Sequence, residues 1–226
     1  AMILLVLKSS FRLYRIKQSS LPLQNREVRE LYKKCLEEMH ITKKIPIYST
    51  AFLRSPVITG LFRPRIYLPI HLISDYESEK IRYMLLHELQ HYRYKDNISN
   101  YLLLLAGILY WFNPFVWLAA RAMRNDREVA CDSAVLNMLD ADSYQDYGFT
   151  LINFAEKISL SPFPFSSSLG GTIKQLEQRI LNIATYKKPS SFRRIRSITL
   201  FAVTAIMFIG ITPLLTSYAA ADNKYH

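Results

Sequence analysis

The hydrophobic pattern divides the chain into a mixed body and two apolar, uncharged ends. From Asn25 to His40, Val28, Leu31, Tyr32, Cys35, Leu36 and Met39 recur at helical spacing with Arg, Glu and Lys between them. That periodicity predicts an amphipathic helix. Short β-like pieces follow at Ile45–Thr50 and, twice more, within SPVITGLFRPRIYLP, Ser55 to Pro69, with a turn near Gly60 to Pro64. Prolines at this density suit edge strands or short hairpins. Ser78–Asp96 reads as the next helix, with Ser78 as its cap and Glu79 in the first turn. Asn97–Ala120 has no charged residue and is interrupted by Asn113-Pro114. Proline removes a backbone donor and breaks or kinks a helix, so the pattern predicts two apolar helices meeting at that bend, either buried or partly in a membrane. Arg121–Leu139 continues as a helix with a mixed face, and Ser143–Ile158 is another. Ser159–Gly171, SLSPFPFSSSLGG, is a loop by composition. Thr172–Thr185 is a last amphipathic helix.

The ends read differently. Met2–Leu7 is apolar but too short to cross a bilayer and reads as the stub of a spanning helix. It lacks the charge placement and the cleavage site of a signal peptide. Ser197–Ala221 is uncharged and strongly apolar through Ile209, which predicts a transmembrane helix. The expected organisation is a stub with a basic collar (1–17), a folded body (18–186), a basic linker (187–196), a spanning helix (197–221) and a short outer tail (222–226). The expected fold class is mostly α with a small antiparallel β-hairpin or sheet, together with membrane-spanning helices. The chain has 226 residues, enough for one sizeable domain with membrane additions.

Charge sharpens this picture. The net charge is +11, which taken alone suggests nucleic acid. Its location argues otherwise. Lys8, Arg12, Arg15 and Lys17 follow the first apolar stretch, and Lys187, Lys188, Arg193, Arg194 and Arg196 precede the last one, with no acid among either group. Between Gln18 and Tyr186 there are 19 basic and 17 acidic residues, a nearly neutral body. Basic collars beside apolar segments are the positive-inside pattern and attract anionic lipid. The expected partner is therefore a lipid bilayer, with the body facing the cytosol, and no direct nucleic-acid binding. Cys35 and Cys131 form no CxxC pattern and read as reduced, buried thiols rather than a disulfide framework or thiolate zinc site.

The chemistry is carried by His87-Glu88-Leu89-Gln90-His91. Histidines four apart on a helix project from one face, where one zinc ion can reach both. Glu88, beside that face, can take a proton from a zinc-bound water without binding the metal. The flanking Met84, Leu85, Leu86 and Leu89 imply a buried helix, on which two His and one Glu are costly without partners. A catalytic zinc site needs a third protein ligand and an open position. Glu128 and Asp132 share a helical face downstream. The economical assignment is Glu128 as third ligand and Asp132 as the carboxylate that orients a ligand histidine. The competing reading is a solvated charged face, since Arg124 and Arg127 lie nearby. His71, His40 and His226 read as structural, helix-terminal and chain-terminal respectively. Tyr83, one turn before His87, is among the candidates for an oxyanion donor.

HELQH, then YWFNPFVW (Tyr110 to Trp117), NDREVACD (Asn125 to Asp132) and DYGFTLINFAEKIS (Asp146 to Ser159), together with the upstream proline-rich stretch, resemble the membrane metallopeptidases of the BlaR/MecR β-lactam sensor-transducers. The likeness covers most of Pro46 to Ala184. It implies a gluzincin-type domain holding one zinc ion per chain through His87, His91 and Glu128, with Glu88 as catalytic base and Asp132 as supporting carboxylate. It implies a membrane-bound zinc metalloendopeptidase that relays an antibiotic signal by cleaving itself and inactivating a cytosolic repressor of resistance genes. For self-cleavage, Ser159–Gly171 and Lys187–Arg196 are the accessible segments. Homo-oligomerisation stays open. The family's penicillin-binding sensor would follow the last spanning helix, but the sequence has no Ser-x-x-Lys and so no acylation site; the expectation is the central part without its sensor. Two alternatives accompany this reading: a gluzincin-type membrane quality-control protease, and a non-catalytic membrane adaptor in which zinc only stabilises the domain.

Overall fold

A computed structural model describes residue 11 and residues 14–159 and 169–188 of the chain. The apolar stub at 2–7, the loop segment 160–168, and the basic linker, spanning segment and tail from 189 onward lie outside the described residues. The chain divides into two compact units, Ala1–Tyr186 and Lys187–His226. Every strand and helix among the described residues belongs to the first unit.

Four short strands form one sheet: β1 (Leu21–Pro22), β2 (Ile47–Thr50), β3 (Val57–Thr59) and β4 (Arg65–Pro69), in the order β1-β2-β4-β3. The proline-rich hairpin forms as the turn signals predict, with β3 antiparallel to β4 and Ile58 opposite Ile66. Its turn needs Gly60. The φ there is +108°, and a Cβ would come within 2.5 Å of the Arg63 carbonyl oxygen; glycine alone accepts that geometry without strain. The sheet as a whole is mixed rather than antiparallel. β2 runs parallel to β4, pairing Ile47 with Ile66 and Ser49 with Leu68. The intervening β3 occupies the other edge of β4, so β2 enters from the far side in the same direction. β4 is consequently an inner strand, and Ile66, Tyr67 and Leu68 are all buried.

Helix α1 (Arg26–Glu38) begins where the Asn25 side chain accepts a bond from the Val28 N–H at 3.0 Å. It buries Val28, Tyr32 and Cys35, one face of the predicted amphipathic helix. A short α2 (Ile70–Asp75) leads to α3 (Ser78–Arg93). Glu77, not Ser78, occupies the N-cap of α3, and the Ser78 hydroxyl instead meets Glu27 at 2.5 Å. α3 is the central element. Ile81, Tyr83, Met84, Leu85, Leu86, His87, Leu89 and Gln90 are all buried, because α1, β3 and the later helices pack around it.

The chain breaks after Arg93. Lys95 takes a left-handed conformation (φ 56°), and Asp96 then opens a new helix, α4 (Asp96–Leu109). Asp96 is therefore a first-turn residue and not the end of α3. α5 (Pro114–Met138) begins as the proline predicts: Pro114 sits at the first helical position, and the Asn113 side chain accepts from the Phe115 N–H at 2.9 Å. α5 runs unbroken through the carboxylate pair. α6 (Ser143–Ser159) and α7 (Leu169–Ala184) close the body, with α5 and α6 against α3, and α7 against both α5 and α6. The core joins Leu68, Leu72, Leu85, Leu89, Val135 and Tyr147. Cys35 and Cys131 are buried and unpaired by any disulfide, and burial pushes the Cys35 thiol up to about 12. Among the described residues, no helix is long and apolar enough to cross a membrane.

Candidate metal centre

α3 and α5 cross so that His87 and His91 face Glu128. The two Nε2 atoms lie 3.2 Å apart. A Glu128 oxygen stands 3.5 Å from His87 Nε2, and the other stands 3.7 Å from His91 Nε2. Two donors each bonded at about 2.0–2.2 Å to one tetrahedral zinc lie roughly 3.3–3.5 Å apart. The three separations are close to that spacing. The donor chemistry agrees. Each imidazole has its Nδ1 against a carboxylate, His87 at 3.1 Å from Asp132 and His91 at 2.6 Å from Asp96. With Nδ1–H directed there, both Nε2 lone pairs point at one spot, which calls for a cation or a proton between them. Among the described residues, His87, His91 and Glu128 make up this group, without a fourth side chain.

The surroundings are polar and closed. Asp132 is fully buried. Tyr147, from α6, donates its hydroxyl to Asp132 at 2.6 Å and lies 3.2 Å from His87 Nδ1. Arg179, from α7, grips Asp132 with two nitrogens at 2.6 and 2.8 Å, and its remaining nitrogen stands 3.2 Å from Glu128. This one guanidinium thus ties both carboxylates of α5 together. Burial opposes ionisation of both. The charged neighbours win, holding Glu128 down at about 2 and Asp132 well below the usual carboxylate range. Burial also opposes a charged His87, but the hydrogen bonds from its ring to Asp132 and Glu128 raise it to about 9.

Glu88 points away from this cluster toward the sheet. Its Oε2 accepts the Ile58 N–H of β3 at 3.1 Å. Burial raises its carboxyl above the ordinary value, with His91 and His87 pulling the other way. β3 is an edge strand, so the glutamate and an open sheet edge border the same space.

The structure brings together His87, Glu88, His91, Glu128 and Asp132, all anticipated from spacing. Tyr83 lies apart from the ligand atoms in a different role: it is buried and packs edge-on against the Tyr147 ring, with centroids 5.8 Å apart. Three participants were not anticipated from the sequence. Asp96 holds His91, while Tyr147 and Arg179 hold Asp132. Asp96 had one signal, an acidic residue five positions after His91, but it only matters once the helix breaks at Lys95. A second grouping, His91, Asp96 and Cys131, also has its ligand atoms close together, with Cys131 Sγ 3.3 Å from His91 Nδ1. Burial and the nearby carboxylates of Asp96, Glu128, Asp132 and Glu88 push that thiol up. In this grouping the His91 Nδ1 is already engaged by Asp96 at 2.6 Å, so the first grouping is the better donor set.

A family model described as BlaR1 peptidase M56 matches residues 1–183, and the chain belongs to that family. It is 30% identical over 219 residues to the "Regulatory protein BlaR1" of Bacillus licheniformis, covering 96% of this chain and 36% of that protein. It is 28% identical over 214 residues to the "Methicillin resistance mecR1 protein" of Staphylococcus aureus, covering 92% of this chain and 36% of the relative. A second BlaR1, from Staphylococcus aureus, is 24% identical over 227 residues, covering 97% of this chain and 37% of that protein. The chain spans about a third of the length of these relatives.

Proposed function

We propose that this chain is the zinc metalloendopeptidase part, of gluzincin type, of a membrane-bound transducer that answers β-lactam antibiotics. His87, His91 and Glu128 would hold one zinc ion, and Glu88 would be the catalytic base. The observation that carries this reading is the triangle of donor atoms at 3.2, 3.5 and 3.7 Å with Glu88 beside it and no fourth ligand in the group. When bound there, zinc supplies Lewis acidity and lowers the pKa of a coordinated water.

The chain's own groups divide the remaining work. The Ile58 N–H fixes one oxygen of the Glu88 carboxylate, leaving the other to take a proton from water and pass it to the leaving amine. Burial raises its proton affinity, the direction that suits a group that must accept a proton. Asp96 and Asp132 fix the two imidazole orientations. β3 lies at the edge of the sheet, and a substrate segment added there as a strand would run beside Glu88, which holds the Ile58 N–H.

The names of the relatives, a regulatory protein and a methicillin-resistance protein, support a signalling role. The proposed substrates are a cytosolic repressor of resistance genes and the chain itself, cleaved in 159–171 or 187–196. The basic collars and the 197–221 segment support a membrane setting with the body in the cytosol. A structural zinc adaptor would favour a fourth protein ligand, which the group lacks. The test is incubation of the zinc-loaded chain with a purified candidate repressor. Fragments should appear, and Glu88→Gln should slow them by about 10²–10⁴-fold with zinc content unchanged. Full activity in Glu88→Gln would overturn the role of Glu88. Cleavage of unfolded membrane proteins with the repressor left intact would favour the quality-control alternative.

A further inference from the structure

The apolar run between Asn97 and Ala120 forms a helical hairpin, α4 and the first turns of α5, that the rest of the body does not cover. Leu102, Leu109, Trp111, Phe112, Phe115 and Leu118 are each 60–75% exposed. The exposure is not confined to one stripe. Leu102 and Leu104 stand two residues apart on α4, about 200° around the helix, and both are exposed. The two arms pack on each other where Trp117 lies over Gly107, and the Trp117 indole donates to the Trp111 carbonyl at 3.0 Å. The hairpin is thus internally closed and apolar outside.

We propose that this hairpin enters one leaflet of a lipid bilayer and returns on the same side. Three observations select lipid over a protein partner. From Tyr101 to Leu109, above its polar first turns, α4 exposes apolar side chains on several sides, which suits a continuous apolar medium, whereas a single partner helix or a second copy would cover one side. The 14 residues of α4 make it about 21 Å long, short of the roughly 30 Å needed to cross. The base of the hairpin carries exposed Lys95, Arg121 and Arg124 and, beside them, Arg93, with the exposed Asp126 as the opposing charge there. That basic ring matches an anionic headgroup layer. The insertion is independent of the peptidase reading. If both hold, His91, five residues before the first turn of α4, works at the lipid surface, and its substrates are polypeptides that approach that surface.

Both tryptophans of the chain, Trp111 and Trp117, lie in the hairpin and serve as probes. The full chain is reconstituted in vesicles of phosphatidylcholine and phosphatidylglycerol, with acyl chains either plain or brominated. Emission is read from Trp117→Phe, which leaves Trp111, and from Trp111→Phe, which leaves Trp117; agreement between them guards against local disturbance by either change. The expected result is blue-shifted emission, loss of most of the Trp111 signal in brominated vesicles, and little quenching by aqueous iodide. Iodide quenching without bromine quenching would place the hairpin in water and overturn the proposal. Blue-shifted emission quenched by neither agent would mean that protein covers it, whether residues 197–221 or a second copy, and would overturn it too. Loss of peptide-bond cleavage in these variants does not bear on the depth measurement, so the two readings fail separately.

Discussion

Replacing Arg179 by Met tests whether the metal centre is held from α7. The guanidinium makes bonds of 2.6 and 2.8 Å to Asp132. The Asp132 side chain is 1% exposed and that of Arg179 17%. Asp132 has the Tyr147 hydroxyl and the His87 ring as its other partners. Arg179→Met therefore leaves a buried carboxylate with His87 as its remaining positive neighbour, which costs up to about 3–5 kcal/mol. Against a total stability of roughly 5–15 kcal/mol, the upper value is a third or more. Asp132→Asn alone takes one counter-charge from the guanidinium, which keeps Glu128 at 3.2 Å, and should cost less. The double variant removes both charges and should recover part of the loss, with a coupling energy of about 1–3 kcal/mol. The assay is urea unfolding of the detergent-solubilised chain, followed by far-UV circular dichroism, with a chelator present so that metal binding does not enter the stability. The same variants should bind zinc about 10–100-fold more weakly, because Asp132 sets the His87 ring. Single-variant losses that add to within about 0.5 kcal/mol would refute the reasoning, since two independent groups do not couple.

The same geometry makes three further outcomes testable. Glu128→Ala should lose most of its zinc, and an unchanged metal content by atomic absorption would remove Glu128 from the ligand set. Asp96→Asn should weaken zinc binding by about 10–100-fold while leaving the fold intact by circular dichroism; an unaltered affinity would mean that the 2.6 Å contact to His91 does not orient the ring. In the metal-free chain, His87 is raised from 6.5 to about 9, so its protonated form contributes stability that is fully present below about 6.5 and is lost as pH rises through 9. Each pH unit between those two values is worth about 1.36 kcal/mol, which makes the loss on the order of 3 kcal/mol. Urea unfolding at a series of pH values should show it with chelator and not with saturating zinc, and a flat profile with chelator would contradict it.

Legibility in the sequence depends on the range over which each signal acts. The spacing of His87 and His91 is a local helical fact, and the helix formed because its neighbours are apolar on nearly every side. Glu128 and Asp132 were legible for the same reason, four residues apart on one unbroken helix. Pro114 and Asn113 announced the start of α5 in their own chemistry. Strand pairing is different. Alternation and prolines located β2 and β4, but nothing in either segment states that they run parallel, because that depends on which edge β3 takes. β1, two residues long, is too short to carry a pattern. Arg179 lies at the far limit: α7 also carries Lys174 and other polar side chains, and nothing local sets one of them apart. Its partner is 47 residues away, and the packing of α7 on α5 alone brings the two together.

The break at Lys95 shows how the missed residues depend on one another. A non-glycine residue in the left-handed region costs about 1–2 kcal/mol, and here three contacts hold it in place from three directions. Asp96 reaches back to His91 on α3 at 2.6 Å, its carbonyl accepts from Arg127 on α5 at 3.2 Å, and the next side chain, Asn97, donates to the Gly60 carbonyl at 3.2 Å in the β3–β4 turn. Gly60 can offer that carbonyl because its own backbone is one that glycine alone adopts freely. The first residue of the apolar hairpin is thus also the residue that fixes an imidazole of the metal centre, with no flexible linker between the two. A tilt of α4 about its base moves the Asp96 carboxylate, and the His91 ring must follow or lose its hydrogen bond. At the helix break, α4 and the metal centre are thus joined directly, by the contact of Asp96 with His91 at 2.6 Å.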